Sequence, residues 1–137
     1  MRLLLDSHIL YWALTNPKKL TPNEQLALSN PENDVFVSPA SLWELQIKAD
    51  KGKLELPHTF LDAVLATGFL ELEITMIHTN TIATLPDIHN DPFDRVLAAQ
   101  AKSESLTFIT RDSILKNYPI AILGNWRGFS GLPWMGC

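Results

Sequence analysis

Short apolar runs alternate along the chain with segments whose apolar residues recur every three or four positions. Leu3–Leu5, Val35–Val37, Leu70–Ile74, Thr107–Thr110 and Ile120–Leu123 have the length and residue types of buried strands. Ser41–Lys51, Thr59–Thr67 and Pro92–Ser103 carry helical spacing, with Pro39 and Pro92 near the starts and Gly52 and Gly68 at the ends. His8–Leu14 forms a further helix directly after the first run. Strand and helix alternating through short connections predict an α/β fold, a parallel sheet of about five strands covered on both faces. In such sheets ligands bind beyond the carboxyl ends of the strands.

That rule gives a meaning to each carboxylate near a strand end. Asp6 follows the first strand directly and Asp112 follows Thr107–Thr110 after one arginine, so both project from the same sheet edge. Glu44 stands about one turn into the helix after the second strand; helical side chains lean toward the N-terminus, which returns it to that edge. Asp94 occupies the first turn of the helix opened by Asp91-Pro92-Phe93. Each acid also has a structural role open to it. Asp6 can cap His8–Leu14, Glu44 can pair with Lys48, Asp91 can cap with Asp94 at N3, and Asp112 can cap Ser113–Asn117. Together, however, carboxylates about 4 Å apart repel by roughly 4 kcal/mol per pair at an effective dielectric near 20, so the cluster calls for a cation. Oxygen donors select a hard ion, Mg²⁺ or Mn²⁺, and an ion with open positions grips phosphate oxygens and activates water.

Composition narrows the partners. The 137 residues, 46% hydrophobic and 19% charged, suit one domain that removes roughly two thirds of its unfolded surface from water. With 11 Lys+Arg against 15 Asp+Glu the formal charge is −4, which excludes a uniformly basic nucleic-acid coat and leaves local patches or bound cations to meet a polyanion. Lys48 and Arg95 are the cations whose spacing to Glu44 and Asp94 sends them to the pocket. Arg111 sits beside Asp112, and Lys51 and Lys53 read as solvated surface. Trp12 and Trp43 can stack on bases, but their helical spacing assigns both to the core. His8 and His89, the histidines nearest the acids, read as loop or capping residues.

The single Cys137 excludes an internal disulfide and a multi-thiolate zinc site. No apolar run reaches signal-peptide or membrane-spanning length, so the expected address is the cytoplasm, without a membrane. GxxxxGK[ST], GxGxxG and GxSxG are absent, which removes motif-based P-loop, dinucleotide and serine-hydrolase readings. Gly124, Gly128, Gly131 and Gly136 crowd the end of the chain with Trp126, Phe129 and Trp134. Residues 1–124 therefore read as the domain, and 125–137 as a disordered or docking tail.

The stretches LLLDSHILYWAL (3–14), SLWELQIKADKGKLELP (41–57), LPDIHNDPFDRVLAAQA (85–101) and LTFITRDSILKNYPI (106–120) resemble the PIN-domain ribonucleases of the VapC toxin type, in the subgroup with WE and DPFDR motifs. The resemblance implies a three-layer α/β/α fold whose acidic pocket binds Mg²⁺ or Mn²⁺ and hydrolyses single-stranded or looped RNA, leaving a 5′-phosphate and a 3′-hydroxyl. On that pattern Asp6, Glu44 and Asp94 match the core acidic positions and Asp112 the fourth, more variable one. Ser7 matches the small hydroxyl residue after the first Asp, and Thr110 the hydroxyl residue two before the last. A cognate antitoxin and a homodimer are the implied partners. Asn90 departs from the pattern, standing where Arg is common before DPFD, and the tail matches nothing in it.

Two other readings are weighed. A receiver or DxDxT phosphatase also places an Asp after the first strand, but the second Asp of DxDxT is His8 here, and only Arg2–Leu5 are left for the acidic pair of a receiver. A catalytically silent scaffold that binds RNA or an antitoxin has no use for four mutually repelling acids.

Overall fold

The computed structural model describes residues 1–123, so the expectation for residues 125–137 lies outside it. Five strands, β1 (Arg2–Leu5), β2 (Asp34–Val37), β3 (Leu70–Glu71), β4 (Thr107–Ile109) and β5 (Ile122–Leu123), form one all-parallel sheet in the order β3-β2-β1-β4-β5. β1 registers Leu4 against Phe36 of β2 on one side and Phe108 of β4 on the other. The chain leaves β1 toward β2 and later returns on the opposite side to lay down β4. The order therefore reverses at β1/β4, the place where open α/β sheets open a crevice.

Alternation along β1 divides the core. Leu3 and Leu5 pack with Ile9, Leu10, Leu45, Phe60 and Ile109 on one face, and Leu4 packs with Leu97, Ala98, Ala101, Phe108 and Leu115 on the other. Helices α1 (Ser7–Thr15) and α4 (Phe60–Ala66) supply the first layer and α6 (Pro92–Glu104) the second, completing the expected three-layer sandwich. The strand expected over Leu70–Ile74 pairs only at Leu70 and Glu71. Both of its paired residues are exposed, as befits a short sheet edge.

Helices α2 (Pro22–Ser29) and α5 (Met76–Ile82) have no counterpart in the apolar spacing. Their signal is in the caps. Thr21 and Glu24 form a reciprocal capping box at the start of α2, and Thr75 and His78 do the same for α5. Glu24, 1% exposed, also receives the Arg111 guanidinium from beyond β4. One carboxylate thus starts α2 and ties it to the edge of the sheet where the acids gather. Glu24→Ala removes one half of the capping box and strands Arg111; because Arg111 is 28% exposed, the expected cost lies below that of a fully buried pair, about 2–4 kcal/mol. Urea unfolding with an unchanged slope and a lower midpoint is the expected record, and a loss under about 0.5 kcal/mol would contradict it.

Candidate functional site

A cavity of about 440 Å³ opens beyond the carboxyl ends of β1 and β4 and is lined by Asp6, His8, Ile9, Trp12, Glu44, Lys48, His89, Asp91, Asp94, Arg111 and Asp112. All four expected acids are in its wall. Asp6 leaves β1 and starts α1: its Oδ1 accepts the Ile9 N–H at 2.8 Å, while its own N–H donates to Ile109 O of β4 at 3.1 Å. Capping and site placement are therefore the same act, because the extended backbone at Asp6 turns the carboxylate back over the strand ends. Thr110, fully buried, hydrogen-bonds the Asp6 carboxyl and accepts the Asp112 N–H at 3.1 Å.

Glu44 arrives on α3 (Pro39–Asp50), which Ser38 caps after β2. It is 5% exposed and divided between two partners: Ser7 Oγ donates to Oε1 at 2.8 Å and Lys48 Nζ stands 3.0 Å from Oε2. Lys48, the expected neighbour of Glu44, is also 3.3 Å from His8 Nε2, whereas the Ser7 contact is one that the sequence did not suggest. Asp94 sits in the first turn of α6, where Asp91 Oδ1 caps the Phe93 and Asp94 N–H groups. Asp112 caps the following 3₁₀ turn through the Ile114 N–H and keeps its second oxygen for the cavity.

His89 serves the loop: its Nδ1 accepts the Asp91 N–H at 3.1 Å. Its other nitrogen does more. Nε2 lies 2.6 Å from Asp112 Oδ2 and 3.1 Å from Asp94 Oδ2, making His89 a bridge between two of the acids. His89, Asp94 and Asp112 offer ligand atoms within 4.8 Å of one another. Twenty-three residues separate His89 from Asp112, and no local pattern encodes that meeting.

Arg95 is a correction. Its guanidinium donates to Pro86 O, Ile82 O and the Tyr118 hydroxyl, bracing the connection between α5 and α6 outside the cavity wall. Adjacent helical residues diverge by about 100°, so once Asp94 faces the cavity its neighbour cannot. Trp43 is a second correction: it is 61% exposed, not core. Trp12 is half-buried in the cavity wall, with the Arg111 guanidinium 4.9 Å and the Lys19 ammonium 5.6 Å from its ring centre.

The electrostatics carry the mark of crowded acids. Burial pushes the Asp94 carboxyl up to about 7, with the Asp91, Glu44 and Asp6 carboxylates adding to it and His89 opposing. Asp6 is raised as well, by burial first and the Glu44 charge last, against hydrogen bonds from Thr110 and Ile9. Burial alone lowers the pKa of His89, but its hydrogen bond to Asp112 and the charges of Asp94, Asp112 and Asp91 outweigh this and raise it. A wall of oxygen donors whose members resist ionising together is chemically suited to a hard divalent cation, which would remove the repulsion.

Comparison with known proteins agrees with this fold. A family profile described as PIN domain matches residues 3–121. Ribonuclease VapC22 of Mycobacterium tuberculosis (strain ATCC 25618 / H37Rv) is 28% identical over 118 residues, spanning 84% of this chain and 90% of its own. Among solved structures, VapBC2 from Rickettsia felis bound to a DNA fragment from its promoter superposes with a TM-score of 0.70 at 18% identity, over 90% of this chain and 98% of that one. DNA-bound VapBC from Salmonella typhimurium superposes with a TM-score of 0.66 at 20% identity, over 90% and 98%. At such identities the two structures speak for the fold.

Proposed function

The chain belongs to the PIN domain family, and on that premise we propose that it is a divalent-metal-dependent endoribonuclease, the toxin of a toxin–antitoxin pair. The observation that carries the reading is the convergence of Asp6, Glu44, Asp94 and Asp112 on one cavity at the sheet's reversal point. The ribonuclease relative and the fold shared with VapBC structures support it.

Asp6, Glu44 and Asp94 would hold Mg²⁺ or Mn²⁺, with Asp112 and His89, which adjoin Asp94, supporting a second ion or its water shell. Bound there, the ion supplies Lewis acidity toward a phosphate oxygen and lowers the pKa of water, so no protein nucleophile is needed. Ser7 and Lys48 hold the two oxygens of Glu44, and Thr110 orients Asp6, so these acids meet their ligand already positioned. Lys48 and Arg111 bring positive charge to the cavity, where a phosphodiester must approach a wall of acids.

Purified protein mixed with structured RNAs is expected to cleave them only with Mg²⁺ or Mn²⁺, leaving 5′-phosphate and 3′-hydroxyl ends. Cleavage that persists in EDTA, or that leaves cyclic phosphates, would overturn the reading. On the same reading the partners are a cognate antitoxin, expected to silence that cleavage on co-purification, and a second copy of the chain. Among the described residues no helix is long and apolar enough to cross a membrane.

A further inference from the structure

We infer that a second groove beside the acidic cavity seats the nucleotide next to the scissile phosphate, with Trp43 stacking on its base and Lys51 and Lys53 meeting its phosphate. The inference deepens the ribonuclease reading and rests on it. The groove, about 400 Å³, is lined by Glu44, Lys48, Lys51, Lys53, Pro92 and Phe93 among others, and shares Glu44, Lys48 and Asp91 with the cavity. A strand whose phosphate lies among the acids therefore has a continuous path into it.

Helix α3 builds both sides of this boundary. Glu44 and Lys48, four apart, face the cavity; Ile47 and Lys51, also four apart, line the groove, and Trp43, one turn before Ile47 on the same side of the helix, meets the groove's edge through its ring contact with Phe93. At the end of the helix Gly52 takes φ 73, and the Lys53 N–H folds back to Lys48 O at 2.9 Å, bringing a third lysine to the same groove. Lysines at a helix C-terminus also answer the helix dipole, and that alone would explain them. It does not explain Trp43. A 61% exposed indole is held against Phe93 with ring centres 5.3 Å apart and planes at 87°, an aromatic surface fixed in place rather than buried.

An aromatic platform beside phosphate-neutralising cations is the chemistry of single-strand recognition, in which an unpaired base stacks without regard to its sequence. A duplex keeps its bases stacked on each other and cannot use the platform. The strand therefore enters with at least one base splayed onto Trp43.

The test measures binding of a labelled, unstructured single-stranded RNA of about eight nucleotides by fluorescence anisotropy in EDTA, so that nothing is cleaved. Trp43→Ala is expected to weaken binding about tenfold or more, and Trp43→Phe to restore most of it. Lys51→Gln with Lys53→Gln is expected to flatten the slope of log affinity against log salt by about 0.7, the amount for the one phosphate they meet. Lys102→Gln, at the far end of α6, is the control expected to change neither. Affinity within twofold of wild type in Trp43→Ala, or no binding by the wild-type chain, would overturn the groove. RNA bound with this Trp43 dependence yet left intact on adding Mg²⁺ or Mn²⁺ supports the groove and counts against the ribonuclease reading. Metal-dependent cleavage with affinity indifferent to Trp43 does the reverse.

Discussion

Asp6→Asn and Asp94→Asn are each expected to lower metal-dependent RNA cleavage by at least about a hundredfold while leaving the protein as stable as wild type or more so. Both halves of the result matter. Asparagine keeps the size of the side chain and an oxygen able to accept the Ile9 N–H, so the cap on α1 survives at position 6. What it removes is a negative charge that burial and neighbouring carboxylates already disfavour at both positions. Metal-free protein should therefore unfold at an equal or higher temperature, whereas the site loses an anionic ligand. Equal activity in either variant would remove that acid from the proposed site. Lost activity with a collapsed melting temperature would mean that the carboxylate serves the fold.

The second large effect is a metal-linked stabilisation that grows with pH. Asp94, with its pKa raised to about 7 from an ordinary value near 3.8, holds its proton in the folded protein over a range where the unfolded chain has released it. Between those two values the folded state binds more protons than the unfolded one, so this group makes metal-free stability fall as pH rises from about 4 to 7, after which its effect is constant. A divalent ion competes with that proton. Near pH 5.5 it must displace it, and at pH 8 the carboxylate is already free to bind. At a hundredfold excess over Kd the ion contributes about 2.7 kcal/mol, several degrees of melting temperature for a domain of this size. The expected record is a Mg²⁺- or Mn²⁺-induced rise in Tm that is clear at pH 8 and much smaller at pH 5.5. In Asp94→Asn the pH dependence should flatten. A rise of equal size at both pH values would contradict the account.

How far the site was legible in the sequence depends on the kind of contact. Asp6, Glu44, Lys48, Asp94 and Asp112 stand where strand ends and helix periodicity place them, because a parallel sheet delivers the first residues after each strand to one edge, while Ser7 and Thr110 were marked only by the family resemblance. Arg95 failed for a reason that the same helix geometry supplies: it lies one step round α6 from Asp94, and the carbonyls of the preceding connection claim it. Trp43 failed because apolar spacing marks a helix face without saying whether another element covers it. The α2 and α5 helices carry their start signals in capping residues, while Met76 and Ile77 point outward and break the apolar stripe.

Local chemistry along the chain was enough to determine the strand–helix alternation, the parallel sheet and the edge at which the acids emerge, since these follow from side-chain periodicity and from the handed, short connections between neighbouring elements. Only the tertiary structure decided that His89 joins Asp94 to Asp112, that Glu24 anchors Arg111, and that Trp43 stays uncovered beside Phe93. Those contacts join segments far apart in the chain, and their existence depends on how loops fold and layers pack, which no spacing along one element encodes.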